Sequence, residues 1–174
     1  MWGDLVDMKK LFILVMIFSF ITSFLLANSL ELGSPAPKLE VLTDKGITVD
    51  LGEALSTGTA LVFFYPKAMT PGCVKQACSL RDGWDELQAR DVSIFGVSSD
   101  TAKTQAQFRD KYSLPFTLLA DTDGKIADAF SKSRWSRQAY LFKDGILVWR
   151  DLKAATSKQA TEVLAALDEL EPNT

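Results

Sequence analysis

ALVFFYPKAMTPGCVKQACSLRD, Ala60 to Asp82, is the stretch that decides how the chain folds. Ala60 to Tyr65 is a continuous apolar run ended by Pro66, the pattern of a central strand buried on both faces. After a short loop, Pro71 suits the first position of a helix, where its missing N–H would have had no partner in any residue. That makes Thr70 the cap, Gly72 the second helical residue and Cys73 the third. Val74, Ala77, Leu80, Trp84 and Leu87 then step by three or four, which predicts one amphipathic helix. A buried strand, a tight loop and a helix opening on a cysteine are expected in that order.

Cys73 thus falls among free backbone N–H groups at the positive end of the helix dipole, surroundings that favour a thiolate over a thiol. Gly72 removes a side chain where a substrate would approach. Cys78 is five residues on. In an unbroken helix two such Cα atoms lie about 8.5–9 Å apart and point about 140° away from each other, whereas a disulfide needs roughly 4.4–6.8 Å. A redox cycle, folded when reduced and locally unwound when oxidised, is the reading preferred over a structural disulfide or a metal pair.

Composition narrows the chemistry further. The 174 residues are 47% hydrophobic and 24% charged, proportions of a globular chain. There is no histidine, which excludes Ser-His-Asp and Cys-His catalysis and every imidazole-bound metal. Two cysteines cannot close a four-thiolate zinc site, and a formal charge of −3 argues against nucleic-acid binding. No metal or cofactor is expected. Asp121-Thr-Asp123-Gly124 echoes the start of a calcium loop but lacks the remaining ligands, so a turn into a helix is the simpler reading.

The N-terminal thirty residues read separately from the fold. Lys9 and Lys10 precede an uncharged run from Leu11 to Leu30, with a small residue at Ala27, which describes a secretory signal or an uncleaved anchor. Either reading puts the folded part, residues 31–174, outside the cytoplasm, in the periplasm or an equivalent lumen, with membrane contact only through that segment. A monomer is expected.

Working outward, Gly33 to Val41 enters a first strand, and Asp44-Lys45-Gly46 turns it into a returning strand from Ile47 to Leu51. Val92 to Val97 and Phe116 to Ala120 are further strands. Between them runs a helix capped by Ser99 or Asp100 and ending before Leu114-Pro115. Lys125 to Phe130 is a short helix, and Lys143-Asp144-Gly145 closes a hairpin. Thr156 to Gln159 reads as a capping box for a last helix with Ala160, Val163 or Leu164, Leu167 and Leu170 inward. The alternation defines an α/β fold with helices flanking one sheet. Trp84 and Trp149 read as core, and Trp135 as lining the site or anchoring a surface.

YPKAMTPGCVKQACSLRD resembles the active-site segment of the peroxiredoxins, in particular the bacterioferritin comigratory protein (PrxQ) subfamily. Their P-x-x-x-T-x-x-C pattern is met by Pro66, Thr70 and Cys73, and Cys78 stands where the atypical two-cysteine members carry a second cysteine. The similarity continues in LPFTLLADTDGKIADAF (Leu114 to Phe130) and in the strand beginning at Arg137, departing at Val74 and Ala139. It implies a thioredoxin-like fold with a mixed central sheet and reduction of hydrogen peroxide or organic hydroperoxides without a bound cofactor. It also implies Cys73 as the peroxidatic cysteine and Cys78 as its resolving partner, with a thioredoxin-like donor as reductant. Pro66 would shield the site, Thr70 would orient the peroxide and Arg137 would stabilise the developing charge, with Arg134 competing for that role. Outside that resemblance, a thioredoxin-type thiol–disulfide exchanger (though C-x-x-C is absent) and a non-catalytic module stiffened by a disulfide stay open.

Overall fold

The computed structural model describes residues 30–133 and 135–170. The signal or anchor expected over residues 1–30 falls, except for Leu30, outside the described residues, and so does Arg134. Among the described residues no helix is long and apolar enough to cross a membrane.

The strands are β1 (Glu40–Thr43), β2 (Thr48–Asp50), β3 (Thr59–Phe64), β4 (Val92–Ser98), β5 (Thr117–Ala120), β6 (Gln138–Lys143) and β7 (Ile146–Asp151). They form one sheet in the order β2-β1-β5-β4-β3-β6-β7. β3 pairs in parallel with β4 and antiparallel with β6, and β4 pairs in parallel with β5. The sheet is therefore mixed. Both flanks of β3 are occupied, as a six-residue run without a polar face requires. Side chains alternate across it: Leu61, Phe63 and Tyr65 enter one core cluster, and Ala60, Val62 and Phe64 enter the other.

The helices are α1 (Leu51–Ala54), α2 (Pro71–Asp82), α3 (Trp84–Gln88), α4 (Ala102–Tyr112), α5 (Lys125–Ala129) and α6 (Gln159–Leu170). The first cluster joins Ala77 and Leu80 of α2 to Leu87 of α3, Phe108 of α4 and Val163 of α6. The second lies under α1 and α5, through Leu51, Leu55, Ile126 and Phe130. The cysteine-bearing helix thus shares one sheet face with the last helix of the chain.

Several local expectations are corrected. The returning strand stops at Asp50, whose Oδ1 accepts from the Glu53 N–H at 2.9 Å and opens α1. The cap of α4 is Thr101, because Asp100 Oδ2 is engaged by the Ala68 N–H (2.7 Å) and the Ser98 hydroxyl (2.8 Å). The helix expected to continue through Trp84 and Leu87 breaks at Gly83. A Cβ there would lie 2.7 Å from the Ala160 Cβ, so α6 crosses too close for a side chain. The capping box does not form: α6 begins at Gln159, whose side chain is buried and turned to Gln76. Leu170 at its far end is exposed. The Lys143-Asp144-Gly145 turn forms as read, with positive φ at both Asp144 and Gly145, as a tight hairpin demands.

Candidate active site

The loop from Pro66 to Thr70 leaves the end of β3 and delivers the chain to α2. Beneath it is a buried polar frame. The Tyr65 hydroxyl donates to Gln105 Oε1, and Gln105 Nε2 donates to Ser98 Oγ (3.0 Å) and to the Leu119 carbonyl (2.9 Å). Burial holds the Tyr65 phenol far above its ordinary pKa, so it stays a hydrogen-bond donor. Asp100 fastens the loop itself through the Ala68 N–H. Met69, immediately before the cap, has φ 64°, a left-handed conformation that costs a non-glycine residue energy and persists only where surrounding contacts enforce it.

Thr70 is the N-cap of α2, Pro71 the first residue and Cys73 the third, the placement read from the sequence. Cys73 is buried, with no exposed surface, and both cysteines are free thiols. Thr70 does not cap the helix with its side chain. Its hydroxyl lies 2.9 Å from the Lys67 carbonyl and 2.9 Å from Cys73 Sγ. One proton serves one acceptor at a time: donated to the sulfur, it suits a thiolate; donated to Lys67, it leaves a lone pair toward a thiol proton. Arg137, just before β6 and 64 residues from the cysteine in sequence, donates from Nη1 to Cys73 Sγ at 3.3 Å and to Gln76 Oε1 at 3.1 Å. Gly72 makes room for it, since a Cβ there would sit 2.7 Å from Arg137 Nη2.

The structure therefore brings Thr70, Cys73 and Arg137 together and places Pro66, half-buried, at the head of the loop. Cys78 is half-buried on the same unbroken helix. Trp135 is 71% exposed, which places it on the surface. Asp121 is a helix-opening turn, accepting from the Ile126 and Ala127 N–H groups at 2.8 and 2.9 Å. Gln76 was not singled out from the sequence, although a polar residue one turn beyond the cysteine, on an otherwise apolar helix face, is a legible signal. A cavity of about 260 Å³ beside Tyr65 and Ser98 includes none of the three converging residues. Among the described residues no group of three or more acidic, histidine or cysteine side chains could hold a metal ion.

The Thr70 hydroxyl and the Arg137 guanidinium both reach one sulfur, that of a helix-opening cysteine set on a mixed sheet, which defines a cysteine-based redox enzyme of thioredoxin-like fold. The AhpC/TSA family model matches residues 32–150, and the chain belongs to that family. It is a peroxiredoxin, a peroxidase whose reagent is a cysteine thiol. It is 40% identical over 121 residues to peroxiredoxin Bcp of Escherichia coli, covering 68% of this chain and 76% of that protein. The crystal structure of peroxidoxin BcpB from Mycobacterium tuberculosis superposes with a TM-score of 0.75 at 28% identity, over 81% of this chain and 98% of that one. Bacterioferritin comigratory protein of Xanthomonas campestris, whose structures address its alkyl peroxide reduction activity, superposes with a TM-score of 0.71 at 26% identity, over 76% and 91%. The relatives are of the Bcp/PrxQ type that the motif resembles.

The extracytoplasmic placement is corrected: the relatives this chain matches are bacterial peroxiredoxins of the Bcp type, and the family match begins at residue 32, after the apolar run. The expectation of export leaned on the hydropathy of one segment outside the described residues.

Proposed function

We propose that Cys73 is the peroxidatic and Cys78 the resolving cysteine of a thiol peroxidase that reduces hydrogen peroxide and organic hydroperoxides. The Cys73 thiolate attacks one peroxide oxygen. The S–O bond forms as the O–O bond breaks, sulfur is oxidised to sulfenic acid, and the departing alkoxide or hydroxide takes a proton and leaves as alcohol or water. Arg137 offers a guanidinium to the sulfur and to the oxygen that gains charge, and the Thr70 hydroxyl orients the peroxide. Pro66 shields the sulfur from water. Cys78 then displaces the hydroxyl as water, giving an intramolecular disulfide. A thioredoxin-like dithiol reduces that disulfide by exchange, and the cycle requires no cofactor or metal. The observation that carries this reading is the convergence of Thr70 Oγ1 at 2.9 Å and Arg137 Nη1 at 3.3 Å on Cys73 Sγ.

Peroxide consumption coupled to thioredoxin and its reductase tests the assignment. Cys73→Ser is expected to fall to background. Cys78→Ser is expected to form a dimedone-reactive sulfenic acid but no intramolecular disulfide. Full turnover by Cys73→Ser would refute the peroxidatic role, and an undiminished disulfide yield in Cys78→Ser would refute the resolving one. Insulin reduction without peroxide turnover would identify a thiol–disulfide exchanger instead.

A further inference from the structure

Two buried glutamines stand outside the roles assigned above. Gln76 lies between Cys73 and Cys78, in the segment that must unwind before the sulfurs meet. Its side chain, with no exposed surface, uses both ends: Oε1 accepts from Arg137 Nη1 at 3.1 Å, and Nε2 donates to Gln159 Oε1 at 2.9 Å. Gln159 opens α6, is equally buried, and its own Nε2 finds no partner among the described residues. Buried amides normally complete their hydrogen bonds, so a glutamine kept here with its donor unpaired points to the acceptor as the useful atom. The rest of α6 is a firm wall: Val163 and Leu167 pack in the same cluster as Cys73 and Ala77.

We infer that Gln159 latches the first turns of α2 shut through Gln76, and so sets the rate at which Cys73 reaches Cys78. The inference rests on the proposed peroxidatic and resolving roles of the two cysteines. The step it governs is attack of the Cys78 sulfur on the Cys73 sulfenic acid. The S–S bond forms as the S–O bond breaks, and the hydroxyl leaves as water with the Cys78 proton. Because the intact helix holds the two Cα atoms about 8.5–9 Å apart, opening precedes attack, and each opening strips Gln76 from Gln159. Losing one such hydrogen bond raises the opened population about fivefold. With the latch in place the sulfenic acid persists longer, and excess peroxide has more time to carry it to sulfinic acid.

Single-turnover oxidation of the full chain, quenched and resolved by mass into thiol, sulfenic adduct and disulfide, separates the two chemical steps. Gln159→Met keeps length and bulk but removes the acceptor. Its disulfide is expected to form about fivefold faster than in the unaltered chain, with less sulfinic acid at high peroxide. Ser79→Ala is the control. It removes the acceptor of the Ala160 N–H, 3.2 Å away, on the same two helices but beyond Cys78, and is expected to resolve at the unaltered rate. An unchanged or slower rate in Gln159→Met, or an equal acceleration in Ser79→Ala, overturns the latch. If Gln159→Met does not fold, hydrogen exchange on the unaltered chain decides. Oxidation must then loosen residues 159–160 together with 71–78, and unchanged protection of 159–160 overturns the inference. Absence of both sulfenic adduct and disulfide from the unaltered chain would remove the cysteine assignment and the latch with it, whereas a normal disulfide yield with no change in Gln159→Met removes the latch alone.

Discussion

At Gly72 a hydrogen atom stands where any other residue would put carbon 2.7 Å from the Arg137 guanidinium. Gly72→Ala therefore sets two effects against each other. Alanine favours the helix over glycine by up to about 1 kcal/mol, while the displaced guanidinium loses a charge-assisted hydrogen bond to the sulfur. The expected outcome is an unchanged or slightly raised melting temperature, with the rate constant for oxidation of Cys73 by peroxide lowered about tenfold or more. Stopped-flow oxidation and thermal melting of the same preparation check both signs, and a full oxidation rate would show that Arg137 is not needed at the sulfur. The placement of Thr70, Pro71 and Cys73 at the helix start was legible in sequence because they belong to one helix turn, where local rules govern, whereas a site role for Pro66 came only from family resemblance. That Arg137 reaches the sulfur was not legible from spacing, since 64 residues separate them; only family resemblance pointed to it. Gln76 and Gln159 could not be paired at all until β-sheet topology brought α2 and α6 to one face.

Helix α2 ends where α6 crosses it. Apolar spacing runs on through Trp84 and Leu87, so the sequence reads as one helix; the break falls at Gly83, where an added Cβ would lie 2.7 Å from the Ala160 Cβ. Gly83 has φ −91°, available to any residue, so the obstacle is space alone. Gly83→Ala is expected to destabilise the fold by about 1–3 kcal/mol, as overpacking does, visible as a lower urea midpoint. A stabilised variant would mean that helix propensity outweighs the contact. The same crossing accounts for the missing capping box. Thr156 to Gln159 has the right residues for one, but the Gln159 side chain is drawn into the interior by Gln76, and the helix starts two residues later than the motif suggests. Local motifs are competing offers, and a buried partner outbids a solvent-exposed cap.

Across the whole molecule, two clusters sandwich the sheet, and each holds a buried tyrosine. Tyr140 donates to Gln138 Oε1 at 2.6 Å, and burial pushes its pKa up to about 12, against a smaller opposing effect of Arg150. Tyr65 is raised further, again by burial. The unfolded chain releases these protons near pH 10 while the folded chain keeps them, so it is the folded state that binds more protons above pH 10. Their contribution to stability is complete below pH 10 and is lost as pH rises toward 12. Urea midpoints at pH 9 and 11.5 are expected to fall with pH, and Tyr140→Phe is expected to flatten that fall. An equally steep decline in the variant would assign it to other groups.

The order of the strands along the chain, the interior position of β3 and the cysteine in the first turn of a helix were determined by sequence alone. Each follows from interactions spanning a few residues: side-chain periodicity, the fixed φ of proline and the unpaired N–H groups of a helix start. The tertiary structure decided where α2 breaks, which cap opens α4, that Arg137 and Thr70 meet on one sulfur, and that Gln159 holds Gln76. Those outcomes depend on the distance between elements far apart along the chain, and that distance is set only when both core clusters close around the sheet.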